Sequence, residues 1–219
     1  SDAASYITGE VLGVSGGIDS SVTAALCARA LGPARVTALL MPERDSADES
    51  AMLGRQLADA LGIDCVLEDI TPMLDAAGCY RRRDEAIRAV IPEYGADWLC
   101  KIVLPTLQQS AYRVFSVVAQ APDGRQVTAR LTPEAYRGVV AATNFKQRVR
   151  KMLEYYHADR LGYAVAGTPN RLEYDQGFFV KNGDGSADFK PVAHLYKTQV
   201  YQLAEYLGIP EDIRRRPPS

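Results

Sequence analysis

The sequence predicts an α/β fold, a doubly wound parallel sheet with helices on both faces. Short apolar runs alternate with helical segments, Gly or Pro follows the first two helical segments, and the first apolar run leads through a Gly and Ser turn into a helix. Neighbouring parallel strands need long crossover connections, which are usually helical. The alternation therefore favours a parallel, doubly wound sheet over an antiparallel one.

Three apolar runs in the first part of the chain predict buried strands, at residues 10–14, 36–41 and 65–70. An apolar helix is expected from about residue 20 to residue 31, where Gly32 and Pro33 end it. The polar stretch 42–49 leads to a second helix, which is expected to end at Gly62.

The middle of the chain departs from this alternation. Two β-like runs, 114–120 and 126–131, are joined by the turn-forming sequence Ala-Pro-Asp-Gly and predict a β-hairpin. We expect the hairpin to belong to an insertion over about residues 94–131. A chain of 219 residues can bury one core without disulfides, so a single domain over residues 1–219 is expected.

Helical periodicity returns after Thr132 and extends, with or without a break, to Leu161. A strand is expected at 163–166 and a helix at about 197–207. Between them, residues 167–190 are predicted to form a long loop rich in Gly and Asp, and long loops inside compact domains are usually functional.

Composition and charge argue against several classes of protein. A net charge of -2 gives no broad positive field for a phosphate backbone, so no nucleic-acid partner is expected. No apolar run approaches the roughly 20 residues of a membrane span, and the N-terminal residues lack a signal-peptide pattern. The four cysteines are not spaced as zinc ligands. We expect a cytoplasmic protein without a membrane partner.

The most specific local motif is SGGIDSS at residues 15–21, where the first strand leads into the first helix. Glycines let the backbone approach an anion, successive N–H groups surround it, and the helix N-terminus adds a favourable partial charge. The alternative is an ordinary turn in which Asp19 and Ser20 cap the helix. The ending of a Walker A loop is absent. The motif resembles the pyrophosphate loop (PP-loop) of the ATP pyrophosphatase superfamily. This resemblance implies an adenine nucleotide alpha hydrolase-like fold, which is Rossmann-like.

Further motifs resemble those of one branch of that superfamily, the ammonia-dependent NAD synthetases. They are NFKQRVR at 144–150, GTPNRLE at 167–173, GFFVKNGDGSAD at 177–188 and LYKTQV at 195–200. Several separate motifs in the family's order are far more specific than the loop alone. With the loop, the resemblance covers roughly residues 10–70 and 144–213.

The resemblance implies a set of residues for each substrate. ATP would be bound by Ser15, Gly16, Gly17, Ile18, Asp19, Ser20, Ser21, Met41, Thr168 and Lys197. Deamido-NAD would be bound by Asn144, Arg148, Lys181, Asp184 and Asp188. Asp19 and Glu173 would hold Mg²⁺, and Asp19, Lys181 and Lys197 would act in catalysis.

The implied reaction has two steps. The nicotinate carboxylate of deamido-NAD attacks the α-phosphate of ATP and releases pyrophosphate, and ammonia then attacks the acyl-adenylate to give NAD and AMP. A glutamine-dependent enzyme would need an amidase domain with a catalytic cysteine, for which the chain offers no motif. The resemblance also implies a homodimer.

Other interpretations stay open. An amide synthetase of the same fold could adenylate a different carboxylate, or the chain could be a nucleotide-binding subunit without turnover. Residues 181–188 could form a solvated turn, Arg148 and Arg150 could be surface charges, and Phe178 is expected to be a packing residue. The run 214–216 is expected to be a solvated basic face, with a phosphate contact as the alternative.

Overall fold

The computed structural model describes residues 7–95, 97–104 and 115–216, apart from the side chain of Asp48. The described residues form two compact units. One contains the residues up to Thr71 and from Gln147 onward, and the other is Pro72–Lys146. The single domain and the bounds of the insertion stay predictions, and residues 96 and 105–114 of that insertion lie outside the described ranges.

The strands are β1 (Glu10–Gly13), β2 (Val36–Leu40), β3 (Asp64–Leu67), β4 (Leu99–Val103), β5 (Ser116–Gln120), β6 (Gln126–Arg130) and β7 (Ala164–Val165). The helices are α1 (Ile18–Leu31), α2 (Asp48–Leu61), α3 (Thr71–Ala76), α4 (Cys79–Arg88), α5 (Pro133–Leu161), α6 (Arg171–Gln176), α7 (Lys197–Tyr206) and α8 (Glu211–Arg215). The alternation predicted for the first part of the chain is confirmed.

The first unit is built on a four-stranded parallel sheet with the order β3-β2-β1-β7. Glu10 pairs with Val36 on one side and with Ala164 on the other, and Thr37 pairs with Asp64. Because all four strands run in the same direction, their carboxyl ends meet at one edge of the sheet. Ligands of open parallel sheets bind at that edge.

The core of this unit surrounds the two central strands. All of β2 is buried, as are Val11 and Leu12 of β1, which is the pattern of strands covered on both faces. Val22 of α1 and Leu57 of α2 pack into the same cluster as Leu40. Truncating a buried leucine to alanine typically costs about 2–5 kcal/mol, so this packing fixes the strand ends firmly.

The second unit contains a three-stranded antiparallel sheet with the order β4-β5-β6. β5 and β6 form a hairpin within the predicted runs, although residue 114 of that prediction lies outside the described ranges. Its inner residues Val117 and Ala119 pack with Ile87 and Tyr94. The sequence did not predict β4, because a short apolar run becomes a strand here only through pairing with β5.

The structure decides whether the helix after Thr132 has a break, and it differs from the sequence prediction in one connection. α5 runs without a break for 29 residues. The segment 167–190 was predicted to be a loop but contains the short helix α6. Phe189 of this segment forms an isolated parallel β-bridge with Ala166. α6 is defined by its caps rather than by apolar periodicity, which is why the pattern did not predict it. None of the described helices combines the length and hydropathy needed to cross a membrane.

Candidate active site

A cleft of about 550 Å³ opens at the carboxyl ends of β1 and β2 in the first unit. Its walls come from the loop after β1, the segment between β2 and α2, the C-terminal half of α5, and the chain that follows β7. The lining residues are Gly13, Val14, Ser15, Gly17, Ile18, Asp19, Ser20, Leu39, Leu40, Met41, Pro42, Ser46, Ala47, Ser50, Ala51, Gln147, Arg150, Glu154, Thr168, Pro169, Glu173, Phe178, Asp184, Lys197, Tyr201 and Arg216.

The loop between β1 and α1 has the shape of an anion site. Gly16 has a φ of 71°, and a Cβ there would lie 2.9 Å from the carbonyl oxygen of Ser50, so a larger residue would force the backbone to move. The hydroxyl of Ser20 donates to the carbonyl oxygen of Gly17 at 3.0 Å. Within the described ranges no side chain caps α1 at Gly17. The N–H groups in the first turn of a helix without such a cap can bind an anion.

Asp19 lies in the first turn of α1 and is held by two side chains from much later in the chain. Nζ of Lys197, the first residue of α7, donates to Oδ2 of Asp19 and forms an ion pair with it. Nδ2 of Asn170 donates to Oδ1 of Asp19 at 3.3 Å. Both carboxylate oxygens of Asp19 therefore have a donor.

Glu173 is connected to this group through Asn170, the N-cap of α6. Oδ1 of Asn170 accepts from the backbone N–H groups of Leu172 at 3.0 Å and Glu173 at 3.3 Å, and the N–H of Asn170 donates to Oε2 of Glu173 at 2.9 Å. Burial raises the pKa of Glu173; the hydrogen bond from Asn170 opposes this, and the charge of Asp19 adds to it. A cation beside the two carboxylates would offset this cost.

A buried ion pair lies beside the cleft on α5. Nζ of Lys151 donates to Oε2 of Glu154 at 2.5 Å, and only 6% of each residue is exposed. Burial raises the pKa of Glu154, and Lys151 offsets part of this effect. Nε of Arg150 donates to the carbonyl oxygen of Met41 at 3.2 Å. Arg150 thus contacts the end of β2, and the interpretation of Arg150 as a surface charge does not hold.

Arg216, directly after α8, contacts the loop that leads from β1 into α1. This loop, residues 15–21 with the first turn of the helix, is called the phosphate loop below. Nη1 of Arg216 lies 3.4 Å from the carbonyl oxygens of both Ser15 and Gly16, and its Nη2 donates to Oγ of Ser50 at 2.9 Å. The guanidinium thereby joins the loop to α2 and lines the cleft. The expectation of a solvated face for the run 214–216 does not hold for Arg216.

Comparison with known proteins decides the family. The model of the NAD synthase family matches residues 3–89 and 116–219. The chain belongs to the NAD synthase family. An NH(3)-dependent NAD(+) synthetase from Mesorhizobium japonicum is 62% identical over 212 residues, which cover 96% of this chain and 66% of that protein. The chain therefore spans just under two thirds of the length of this relative.

Solved structures of similar fold include two bacterial synthetases. The NMN synthetase from Francisella tularensis has a TM-score of 0.69 and 26% identity, covering 100% of this chain and 69% of that one. An NH3-dependent NAD synthetase from Campylobacter jejuni, in complex with the nitrate ion, has a TM-score of 0.64 and 27% identity, covering 95% of this chain and 68% of that one. The Rossmann-like fold predicted for the chain is confirmed.

Most residues that the NAD synthase motifs pointed to come together in the cleft. These are Ser15, Gly17, Ile18, Asp19, Ser20, Met41, Thr168, Glu173, Asp184 and Lys197. The cleft is also lined by three residues that were not predicted from the sequence, Ser50, Glu154 and Tyr201. Arg150 and Glu154 are four residues apart and therefore share one face of α5. This spacing could have predicted from the sequence that Glu154 lines the same cleft as Arg150. Phe178 is 80% exposed and lines the cleft, so the expectation that it is a packing residue does not hold.

Six of the motif residues do not line the cleft: Gly16, Ser21, Asn144, Arg148, Lys181 and Asp188. Ser21 is fully buried, and its hydroxyl donates to the carbonyl oxygen of Gly17 at 2.8 Å. It therefore stabilises the loop backbone from within the core. Oδ2 of Asp188 accepts from the N–H of Val165 at 2.7 Å. Nε of Arg148 donates to the carbonyl oxygen of Lys181 at 3.2 Å. Asn144 belongs to the second unit.

Proposed function

We propose that the chain is a ligase that amidates deamido-NAD to NAD with ammonia, at the expense of ATP. The observation that carries the proposal is the grouping of Asp19, Lys197 and Glu173 beside the phosphate loop in one cleft. Membership of the NAD synthase family, and 62% identity to an NH(3)-dependent NAD(+) synthetase, support this choice of substrates.

In the first step, an oxygen of the nicotinate carboxylate attacks the α-phosphorus of ATP, and the bond from that phosphorus to the bridging oxygen breaks. Pyrophosphate leaves, and its charge is met by the N–H groups at the start of α1 and by the guanidinium of Arg216. Lys197 supplies a further positive charge at the phosphates. No nucleophilic side chain is needed, because the residues act by positioning and by electrostatics.

In the second step, ammonia attacks the carbonyl carbon of the acyl-adenylate. The bond from that carbon to the phosphate oxygen breaks, AMP leaves, and the added nitrogen loses a proton to solvent. A free carboxylate is a poor acyl donor because oxide is a poor leaving group, whereas AMP leaves readily. The ATP-dependent step therefore makes the amide bond attainable.

Mg²⁺ is part of the proposal, and Asp19 and Glu173 would hold it. Their carboxylates line one cleft together with Lys197, and burial together with the charge of Asp19 raises the pKa of Glu173, so a cation fits their chemistry. Within the described ranges no group of three or more His, Cys, Asp or Glu is placed to hold a metal. Two carboxylates completed by substrate phosphates are a common Mg²⁺ site, in which the ion neutralises phosphate charge.

Deamido-NAD is assigned to Asn144, Arg148, Lys181, Asp184 and Asp188. The hydrogen bond from Arg148 to the carbonyl oxygen of Lys181 supports a common role for this segment, and Asp184 lines the cleft. Oδ1 of Asp184 accepts from the N–H of Val180 at 2.7 Å, which shapes the turn that carries Lys181. A homodimer in the cytoplasm is also proposed, and sedimentation that gives a monomer at micromolar concentration would refute the dimer.

The experiment that tests this function measures pyrophosphate release from MgATP with deamido-NAD and ammonium each added or omitted. We expect pyrophosphate release to require deamido-NAD and NAD to form only when ammonium is present. Asp19→Ala should abolish both pyrophosphate release and NAD formation. The similarity to an NMN synthetase makes deamido-NMN the second acceptor to be tested. Turnover only with that mononucleotide or with another carboxylate would keep the adenylation chemistry and reject the proposed acceptor.

A further inference from the structure

We infer that Asn170 is a positioning residue that holds the carboxylates of Asp19 and Glu173 in one arrangement, ready for a divalent cation with ATP. The inference deepens the proposed function and rests on it for the identity of the reaction. Asn170 is 3% exposed and lies between the two carboxylates. It contacts one through its side chain and the other through its backbone.

Each polar atom of the Asn170 side chain has its own partner. Oδ1 accepts from the first turn of α6, and Nδ2 donates to Oδ1 of Asp19 at 3.3 Å. An N-cap needs only an acceptor, so Ser, Thr or Asp would cap α6 about as well as Asn. Among these four residue types only Asn also carries an N–H donor that can reach a carboxylate. Capping alone therefore does not explain the amide.

The same residue restrains Glu173 from the other side. The N–H of Asn170 donates to Oε2 of Glu173 at 2.9 Å and uses one of its two carboxylate oxygens. Two carboxylates that face one site repel each other, and the partial burial of both adds to that cost. Donors fixed to each carboxylate oppose their separation before the cation and the nucleotide arrive.

Substitution can separate the two roles of the Asn170 side chain, which caps α6 and donates a hydrogen bond to Asp19. Asn170→Ser keeps an acceptor for the first turn of α6 but loses the Nδ2 donor to Asp19, which the shorter serine hydroxyl does not replace, whereas Asn170→Ala loses both the acceptor and the donor. Asn170→Thr is a second capping variant, should the serine variant fold poorly. Thr132→Ala is the matched control, because Oγ1 of Thr132 accepts from the N–H of Ala135 at 3.1 Å in the first turn of α5.

Two quantities are measured for each variant. One is the melting temperature, and the other is the affinity for Mn²⁺ in the presence of α,β-methylene-ATP, monitored by electron paramagnetic resonance. Neither measurement needs an acceptor substrate. Asn170→Ser should keep the melting temperature and weaken Mn²⁺ binding about tenfold, the size expected for one lost hydrogen bond to a charged group. The Mg²⁺ concentration for half-maximal pyrophosphate release should rise by a similar factor. Thr132→Ala should lower the melting temperature by about 2–4 °C and leave Mn²⁺ binding unchanged.

Two results would overturn the inference. In the first, Asn170→Ser and Asn170→Thr bind Mn²⁺ as tightly as the wild type does, so Asn170 would be a helix cap only. The other is an equal loss of Mn²⁺ binding in Thr132→Ala, which would assign the effect to general destabilisation. Failure of the wild type to act on deamido-NAD would reject the proposed function alone, because the Mn²⁺ measurement does not use that substrate.

Discussion

The ammonium of Lys197 and the carboxylate of Asp19 form an ion pair although 178 positions separate the two residues. Lys197 begins α7 and Asp19 lies in the first turn of α1, so the pair brings two helix N-termini to the phosphate loop. The positive charge of Lys197 and the partial positive charge at the start of α1 then meet at the same cleft, and both favour a polyphosphate.

Replacing Lys197 with Gln is expected to lower the rate of pyrophosphate release about 100-fold or more. A preorganised cation that meets charge developing in the transition state is typically worth this much in kcat. Steady-state kinetics with saturating ATP and deamido-NAD test the expectation. Lys101→Gln, at an exposed position on β4, is the control and should keep the wild-type rate. A normal rate for Lys197→Gln would exclude this role for the lysine.

Arg216→Ala should raise the KM for ATP about tenfold, because it removes charge-assisted hydrogen bonds at the phosphate loop. Arg215→Ala is a closely matched control, since the side chain of Arg215 is 79% exposed and pairs with Glu211 on the surface of α8. Both variants lose one positive charge in the same short segment. Equal effects of the two on KM would point to long-range charge rather than to contact with the phosphates.

Gly16→Ala should destabilise the protein and abolish ATP binding. Gly162→Ala is the comparison, because Gly162 also has a positive φ, of 67°, but a Cβ there would meet nothing within 4 Å. The backbone strain of roughly 1–2 kcal/mol applies to both variants. Only Gly16→Ala adds the clash with the carbonyl oxygen of Ser50. Chemical denaturation and calorimetric ATP titration distinguish the two, and similar behaviour would mean that the loop backbone adapts.

Glu10→Gln should change how stability depends on pH. Glu10 is fully buried in β1, neither of its carboxyl oxygens has a well-formed hydrogen bond within the described residues, and burial raises its pKa from 4.5 to about 7. The thiol of Cys27 offsets only part of that shift. Because the folded state holds this proton more tightly, its contribution to stability is present below pH 4.5 and is lost as the pH rises to about 7.

The loss amounts to roughly 3 kcal/mol over that range for a shift of this size. Urea unfolding of Glu10→Gln and of the wild type, measured between pH 4.5 and pH 8, should therefore show the variant gaining relative stability as the pH rises. Glu134→Gln is the control, since the side chain of Glu134 is 77% exposed. A constant difference between Glu10→Gln and the wild type at all pH values would contradict the assignment.

Much of the fold could be predicted from local patterns. The apolar runs that became β1 and β2 are buried on both faces, so their composition alone marks them as central strands of a parallel sheet. The short elements were less predictable. β4 depends on pairing with β5, and α6 depends on the cap made by Asn170 and Glu173, so neither has a periodic signal of its own.

The sequence by itself determined the phosphate loop, because its glycines and serines act within seven consecutive residues, from Ser15 to Ser21, and need only the strand before them and the helix after them. Only the tertiary structure decided which distant side chains meet that loop. Asn170 caps α6, Lys197 begins α7 and Arg216 follows α8, and packing around the sheet brings all three to the loop. A hydrogen bond between residues more than 150 positions apart leaves no periodicity in the sequence, so the geometry of the cleft had to come from the fold.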